Sequence, residues 1–166
     1  MAFHSVKVDP WVRTILVDPL SKQGLVIDET TNRLIAPYGR VYPIRGGVFD
    51  LRFLENKFSH DQKVWKEGQS DYEAWSKRLV VKDSLPTYLN EIAGVKEVYE
   101  DIPIKGRCLD VGGHQGRLRA FLSPGQEYVS FDPFLDVFGP LEQQPNLVRA
   151  YPFLMEPVNF LCGDAE

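Results

Sequence analysis

The run Gly106-Arg107-Cys108-Leu109-Asp110-Val111-Gly112-Gly113-His114-Gln115-Gly116-Arg117-Leu118 joins an apolar segment, through a glycine-dense turn, to a short helical pattern. Cys108, Leu109 and Val111 suit a strand buried in a parallel sheet. The glycines let the backbone bend sharply and approach a ligand closely. A helix predicted over Gln115 to Leu122 would present free N–H groups and the positive end of its dipole to that ligand. Such a strand–turn–helix suits a nucleotide or nucleoside. A dinucleotide fingerprint needs G-x-G-x-x-G, but counting from Gly112 the second and third positions are His114 and Arg117, so it fails. The pattern present is D-x-G-G-x-x-G, with Asp110 at the strand end. A carboxylate there would sit badly beside a pyrophosphate and well beside a cofactor carrying positive charge and an amino group.

Two later segments repeat the theme. Tyr128-Val129-Ser130-Phe131-Asp132-Pro133 reads as a second strand ending in an acid, and Asp132 follows Gly112 by 20 residues. Nucleoside-binding folds place a ribose-binding carboxylate at that distance. Val158-Asn159-Phe160-Leu161-Cys162-Gly163-Asp164-Ala165 reads as a third strand. Each acid alone is a common loop residue or helix cap; three at successive strand ends are harder to explain that way.

The segment Leu109-Asp110-Val111-Gly112-Gly113-His114-Gln115-Gly116 resembles the first motif of the class I S-adenosylmethionine-dependent methyltransferases, roughly L-D-V-G-x-G-x-G. His114 stands where the family has its middle glycine. The resemblance runs from about Lys105 to Glu166. It implies S-adenosylmethionine as cofactor, Asp132 on the ribose, Asp164 on the adenine amino group, and the Ala165 N–H on the ring. The cofactor-binding set it implies is Asp110, Gly112, Gly113, His114, Gly116, Asp132, Pro133, Asp164 and Ala165, with no metal and no assignable catalytic residue. His114 could serve as a general base. The plainer reading is a turn residue that points outward or bonds the backbone.

Composition fits a globular chain: of 166 residues, 43% are hydrophobic and 25% charged. The 19 basic and 23 acidic residues leave a net charge of −4 without any basic tract, which disfavours a nucleic-acid partner. No apolar run of membrane length and no leader pattern is read, so neither a membrane span nor secretion is expected. Cys108 and Cys162 read as small buried residues on adjacent strands, outside any disulfide framework, and the expected location is cytoplasmic.

The first segment reads as β-rich. Trp11 to Val17 fits a helical turn or a strand, and periodicity does not decide. Gly24-Leu25-Val26-Ile27 and Arg33-Leu34-Ile35-Ala36 flank a polar hairpin loop, Asp28 to Asn32. A turn is expected at Gly46-Gly47, and Pro43 belongs on an edge or bulge. Leu16-Val17-Asp18-Pro19-Leu20-Ser21-Lys22 and Tyr42-Pro43-Ile44-Arg45-Gly46-Gly47-Val48 resemble the small zinc-ribbon-like domain of the activator subunit of tRNA and protein methyltransferases. Asp18 and Ser21 occupy the positions of the first cysteine pair there, and no cysteine precedes Cys108. His4 and His60 cannot make up a four-ligand zinc site. The expectation is a metal-free form of that fold, held by apolar side chains and by docking on the rest of the chain.

The middle reads as helical. Ser59 caps a helix with Gln62 reaching back, and Phe58, Trp65, Tyr72 and Leu79 recur every seven residues, with Trp75 beside them. Core packing is the plainer account of that stripe; the sharper one has Trp65, Tyr72 or Trp75 covering a ligand. A second helix begins near Ser84 with Pro86 in its first turn, Leu85, Leu89 and Ile92 facing inward, and Gly94 ending or interrupting it. Prolines 133, 140, 145, 152 and 157 argue against a long helix between the last two strands, and Leu147 to Tyr151 could supply a short one.

The fold expected is therefore α/β. Residues 104–166 form the first half of a Rossmann-like sheet, with three parallel strands and their helices. A degenerate ribbon-like β domain, 1–54, and a helical linker or lid, 55–103, precede it. The sequence stops after the third strand, so an N-terminal fragment, or one half of an assembly completed by a partner chain, is expected. The first strand would then have an open edge. The function expected is methyl transfer from S-adenosylmethionine to an acceptor read as a small molecule. The alternative is a non-catalytic module that docks on a partner methyltransferase chain.

Overall fold

A computed structural model describes residues 6–52, 67–68, 70–71, 74, 82–102, 104–135, 137 and 141–164. His4, Phe58, Ser59, His60, Gln62, Trp65, Tyr72, Trp75, Leu79 and Ala165 lie outside the described residues. Of the first helix of the middle segment, residues 67–68, 70–71 and 74 are described, and they are helical.

The described residues open with β1 (Val6–Lys7) and α1 (Pro10–Ile15). Proline at the start of α1 supplies a preset φ where no N–H is needed, so Trp11 to Ile15 resolves as helix. Two hairpins follow, built from β2 (Val26–Asp28), β3 (Arg33–Ile35), β4 (Val41–Arg45) and β5 (Val48–Asp50). The Asp28 carboxylate accepts the N–H groups of Thr30 and Thr31 and the Thr31 hydroxyl, which closes the polar loop between β2 and β3. Gly46 and Gly47, both at positive φ (58° and 89°), make the tight turn between β4 and β5. Pro43 is not on an edge strand: β4 lies between β3 and β5. Pairing of β4 with β5 covers only Ile44 and Arg45, so Pro43 sits just past the last β5 partner, where its missing N–H breaks no bond.

Then come α2 (Leu85–Tyr99), β6 (Cys108–Val111), β7 (Tyr128–Asp132), α3 (Pro145–Ala150) and β8 (Val158–Cys162). Helix α2 continues through Gly94 to Tyr99. Its buried residue is Tyr88, flanked by partly buried Leu85 and Ile92, while Leu89 is exposed. Strands β6, β7 and β8 pair in parallel, in that order.

The expected fold class is overturned. The first segment does not form a separate ribbon-like unit beside half of a Rossmann-like sheet. One mixed sheet of eight strands runs β2-β3-β4-β5-β8-β7-β6, with β1 also paired to β8. The decisive pairing is β5 parallel to β8, Phe49 with Leu161 and Asp50 with Cys162. Beta-8 is thereby central, and all five of its residues are buried. Among the described residues the α-helices whose ends are defined are few: α1, α2 and α3 hold 6, 15 and 6 residues. The helix expected over Gln115 to Leu122 is instead a 3-10 turn, Arg117–Phe121. The left-handed Gly116 (φ 79°) at its start, and Pro124 and Gly125 soon after, leave too little chain for an α-helix. Between β7 and β8 the prolines divide the crossover into 3-10 turns on either side of α3. Cys108 and Cys162 are free thiols on strands separated by β7, not on neighbouring strands.

Alternation along the sheet gives two cores. Val158, Phe160 and Cys162 face one that includes Tyr88, Leu147 and Tyr151; Leu161 faces the other with Val12, Leu34 and Phe49. Beta-6 ends the strand order, and Leu109 and Val111 on it are 63% and 58% exposed. No described helix is long and apolar enough to cross a membrane.

Candidate functional site

Parallel pairing brings the C-terminal ends of β6, β7, β8 and β5 to one rim, and each strand carries an acid there or just beyond. Asp110 is paired in register with Ser130, and Asp132 and Asp50 both with Cys162. Tyr128, Ser130 and Asp132 alternate onto the same face as Asp110.

The glycine turn folds over this face. Gly112, His114 and Gly116 are all left-handed, with φ of 74°, 48° and 79°. His114 thus adopts, at some strain, the backbone region a glycine would enter freely. The surroundings fix that conformation. The His114 N–H donates to Asp132 Oδ2 at 3.0 Å, and its carbonyl accepts the Ser130 hydroxyl at 2.8 Å. The Gly112 N–H donates to the Phe131 carbonyl at 2.8 Å. Gly113 lies directly against the acids: a Cβ there would fall 2.6 Å from both Asp110 Cγ and Ser130 Oγ.

Asp110 Oδ2 accepts the Tyr128 hydroxyl at 2.5 Å. Burial raises the Asp110 pKa above the usual carboxylate value despite that bond, and the charge of Asp132 adds to the rise. The Tyr128 hydroxyl is likewise pushed up, by burial first and then by Asp110. Burial lowers the His114 pKa, against the pull of Asp132, which favours a neutral imidazole. Asp132 is only 4% exposed. Its two oxygens each accept one backbone N–H, from His114 and, at 2.9 Å, from Phe134. A carboxylate offers about four acceptor positions, so two directions remain among the described residues.

The structure thus brings together Asp110, Gly112, Gly113, His114, Gly116, Asp132 and Pro133. Asp164 follows Gly163, whose N–H donates to the Asp132 carbonyl at 3.1 Å, so it belongs to the same rim. Ala165 is outside the described residues. The sequence reading missed Tyr128 and Ser130, although their period-two spacing with Asp132 was visible. It also missed Asp50 and Arg52, which reach this rim only because β5 joins β8. Asp50 is fully buried and pairs with Arg45 (3.1 Å) and Arg52 (2.8 Å).

A cleft of about 520 Å³ lies elsewhere, at the N-terminal ends of β7 and β8, lined by Lys7, Trp11, Arg119, Gln126, Tyr128 and Asn159 among others. Salt bridges Lys7–Asp9 and Arg107–Glu127 border it. Among the described residues no three His, Cys, Asp or Glu side chains converge as metal ligands. The chain matches no protein-family model and no curated protein.

Proposed function

We propose that this chain binds S-adenosylmethionine at the acidic rim and is the cofactor-binding part of a methyltransferase acting on a small-molecule acceptor. The observation that carries the reading is the left-handed turn Gly112 to Gly116 seated between Asp110 and Asp132. The donor set fits this cofactor: carboxylates complement a sulfonium and an ammonium, and would repel a phosphate. When bound, the cofactor supplies an electrophilic methyl group. The chain's own residues bind and orient. Asp132 offers its remaining acceptor directions to the ribose hydroxyls, and Asp110 places negative charge near the cationic end. Exposed backbone at Gly112 allows close approach, since nothing lies within 4 Å of where its Cβ would be. Holding the methyl group and acceptor in line would supply most of the rate gain. A reducing, cytoplasmic setting goes with this reading and with the two free thiols.

Calorimetric titration tests it. S-adenosylhomocysteine should bind the wild-type chain, and Asp132→Ala should weaken binding on the order of tenfold or more, the worth of hydrogen bonds to a charged group. Asp110→Asn should weaken S-adenosylmethionine more than S-adenosylhomocysteine, because only the former carries the sulfonium. Absence of binding to the wild-type chain would refute the proposal.

The exposed Leu109 and Val111 on the edge strand β6 favour a second reading, a module that docks on a partner methyltransferase chain. Isolation of a stable partner chain together with no cofactor binding would decide for it.

A further inference from the structure

Strand β5 brings the N-terminal hairpins against β8, and the residues just after it cross the acidic rim. The Leu51 N–H donates to the Cys162 carbonyl at 2.7 Å, so the chain is held to the end of β8 there. The next side chain, Arg52, is partly buried and has every edge of its guanidinium directed. Its Nε and Nη2 donate to Asp50 Oδ1 and Oδ2, both at 2.8 Å, a bidentate fork onto a fully buried carboxylate. The remaining nitrogen, Nη1, donates to the Pro133 carbonyl at 3.2 Å. That carbonyl belongs to the same peptide unit as the Phe134 N–H, which donates to Asp132 Oδ1 at 2.9 Å. A peptide unit is planar, so fixing its oxygen fixes the direction of its N–H. A cation on the oxygen also polarises the N–H and strengthens it as a donor.

We propose that Arg52 is a positioning residue: gripped by Asp50, it clamps the Pro133–Phe134 peptide and thereby aims the Asp132 carboxylate at the ribose hydroxyls of the ligand. This rests on the cofactor reading above. It gives the N-terminal hairpins a role in the site that neither the glycine turn nor the three strand-end acids would reveal. Lysine cannot replace Arg52, because one ammonium cannot hold both Asp50 oxygens and reach the carbonyl.

The test uses the whole chain, with S-adenosylhomocysteine and its 2′-deoxy analogue as probes. Arg52→Gln and Arg52→Lys should each weaken S-adenosylhomocysteine on the order of tenfold, and the 2′-deoxy analogue far less, because only the former uses the aimed carboxylate fully. The Phe134 amide proton should move upfield in both variants as its bond to Asp132 loosens. A general loss of structure would weaken both ligands equally. That outcome, or wild-type affinity in a folded Arg52→Lys, overturns the assignment. If the wild-type chain binds neither probe, the cofactor reading falls and this role falls with it. The Phe134 shift in Arg52→Lys then reports separately whether the clamp exists; an unchanged shift would remove the clamp as well.

Discussion

Asp18→Ala should destabilise the fold by about 3 kcal/mol, read as a lowered midpoint in urea unfolding with an unchanged slope. The Asp18 side chain is 1% exposed and ties three parts of the N-terminal hairpins together. It accepts the Tyr42 hydroxyl at 2.5 Å, the Ser21 N–H at 2.8 Å and, more loosely, Arg40 at 3.4 Å. Truncation would leave the Tyr42 and Ser21 donors buried without an acceptor, and that desolvation is the larger part of the cost. Burial by itself would raise the Asp18 pKa; the bonds from Ser21, Tyr42 and Arg40 outweigh it and hold the group well below the usual value of 3.8. Tyr42 is pushed up to about 12, by burial and then by Asp18. The sign follows from the depressed value. Asp18 contributes its full stabilisation above the unfolded pKa, and loses it as pH falls below about 4 toward the folded pKa. Asp110 acts with the opposite sign, because its folded pKa is raised: its contribution is present at low pH and is lost as pH rises through that value. Asp18→Asn should therefore flatten the acid limb of the stability profile, and an unchanged acid limb would show that the knot contributes nothing.

Gly113→Ala should abolish the proposed binding of S-adenosylmethionine while leaving a folded chain. The added Cβ would stand 2.6 Å from Asp110 Cγ and from Ser130 Oγ, so both side chains must shift. Ser130 would lose its bond to the His114 carbonyl, and Asp110 its bond to Tyr128. Overpacking of this kind costs about 1–3 kcal/mol of stability. The loss of affinity should be larger, because one methyl group displaces both acids' supports at once. A Gly112→Ala variant makes the comparison informative: the space there is open, but φ is 74°, so its penalty is backbone strain alone. Equal binding by Gly113→Ala and the wild type, measured by calorimetry, would show that the turn is not a ligand seat.

What the sequence made legible was local. Alternation and turn residues gave the hairpins, Gly46-Gly47 gave its turn, and three apolar runs ending in acids gave β6, β7 and β8. What it hid was long-range. Nothing in Val48-Phe49-Asp50 says that it pairs with residues more than a hundred positions later. That single pairing merges the hairpins with the parallel strands and overturns the expected architecture. The helix expected over Gln115 to Leu122 was overestimated, because a left-handed Gly116 and then Pro124-Gly125 overrode an apolar pattern. Between β7 and β8 the prolines were read as barring a long helix, and only the short α3 and 3-10 turns form there. At α2 the reverse held: Gly94 broke nothing, because a glycine in a helix costs only about 1 kcal/mol and packing of Tyr88 compensates. In the site, the strand-end acids were readable from spacing. Asp50 and Arg52 were not, because they reach the rim only through the pairing of β5 with β8.

The most direct measurement is a titration of the isotopically labelled chain with S-adenosylmethionine, followed by amide chemical shifts. The acidic-rim account predicts shifts at Gly112, Gly113, His114, Phe134 and Gly163. No shifts at saturating ligand, or shifts confined to Lys7, Arg119 and Gln126 around the opposite cleft, would contradict it.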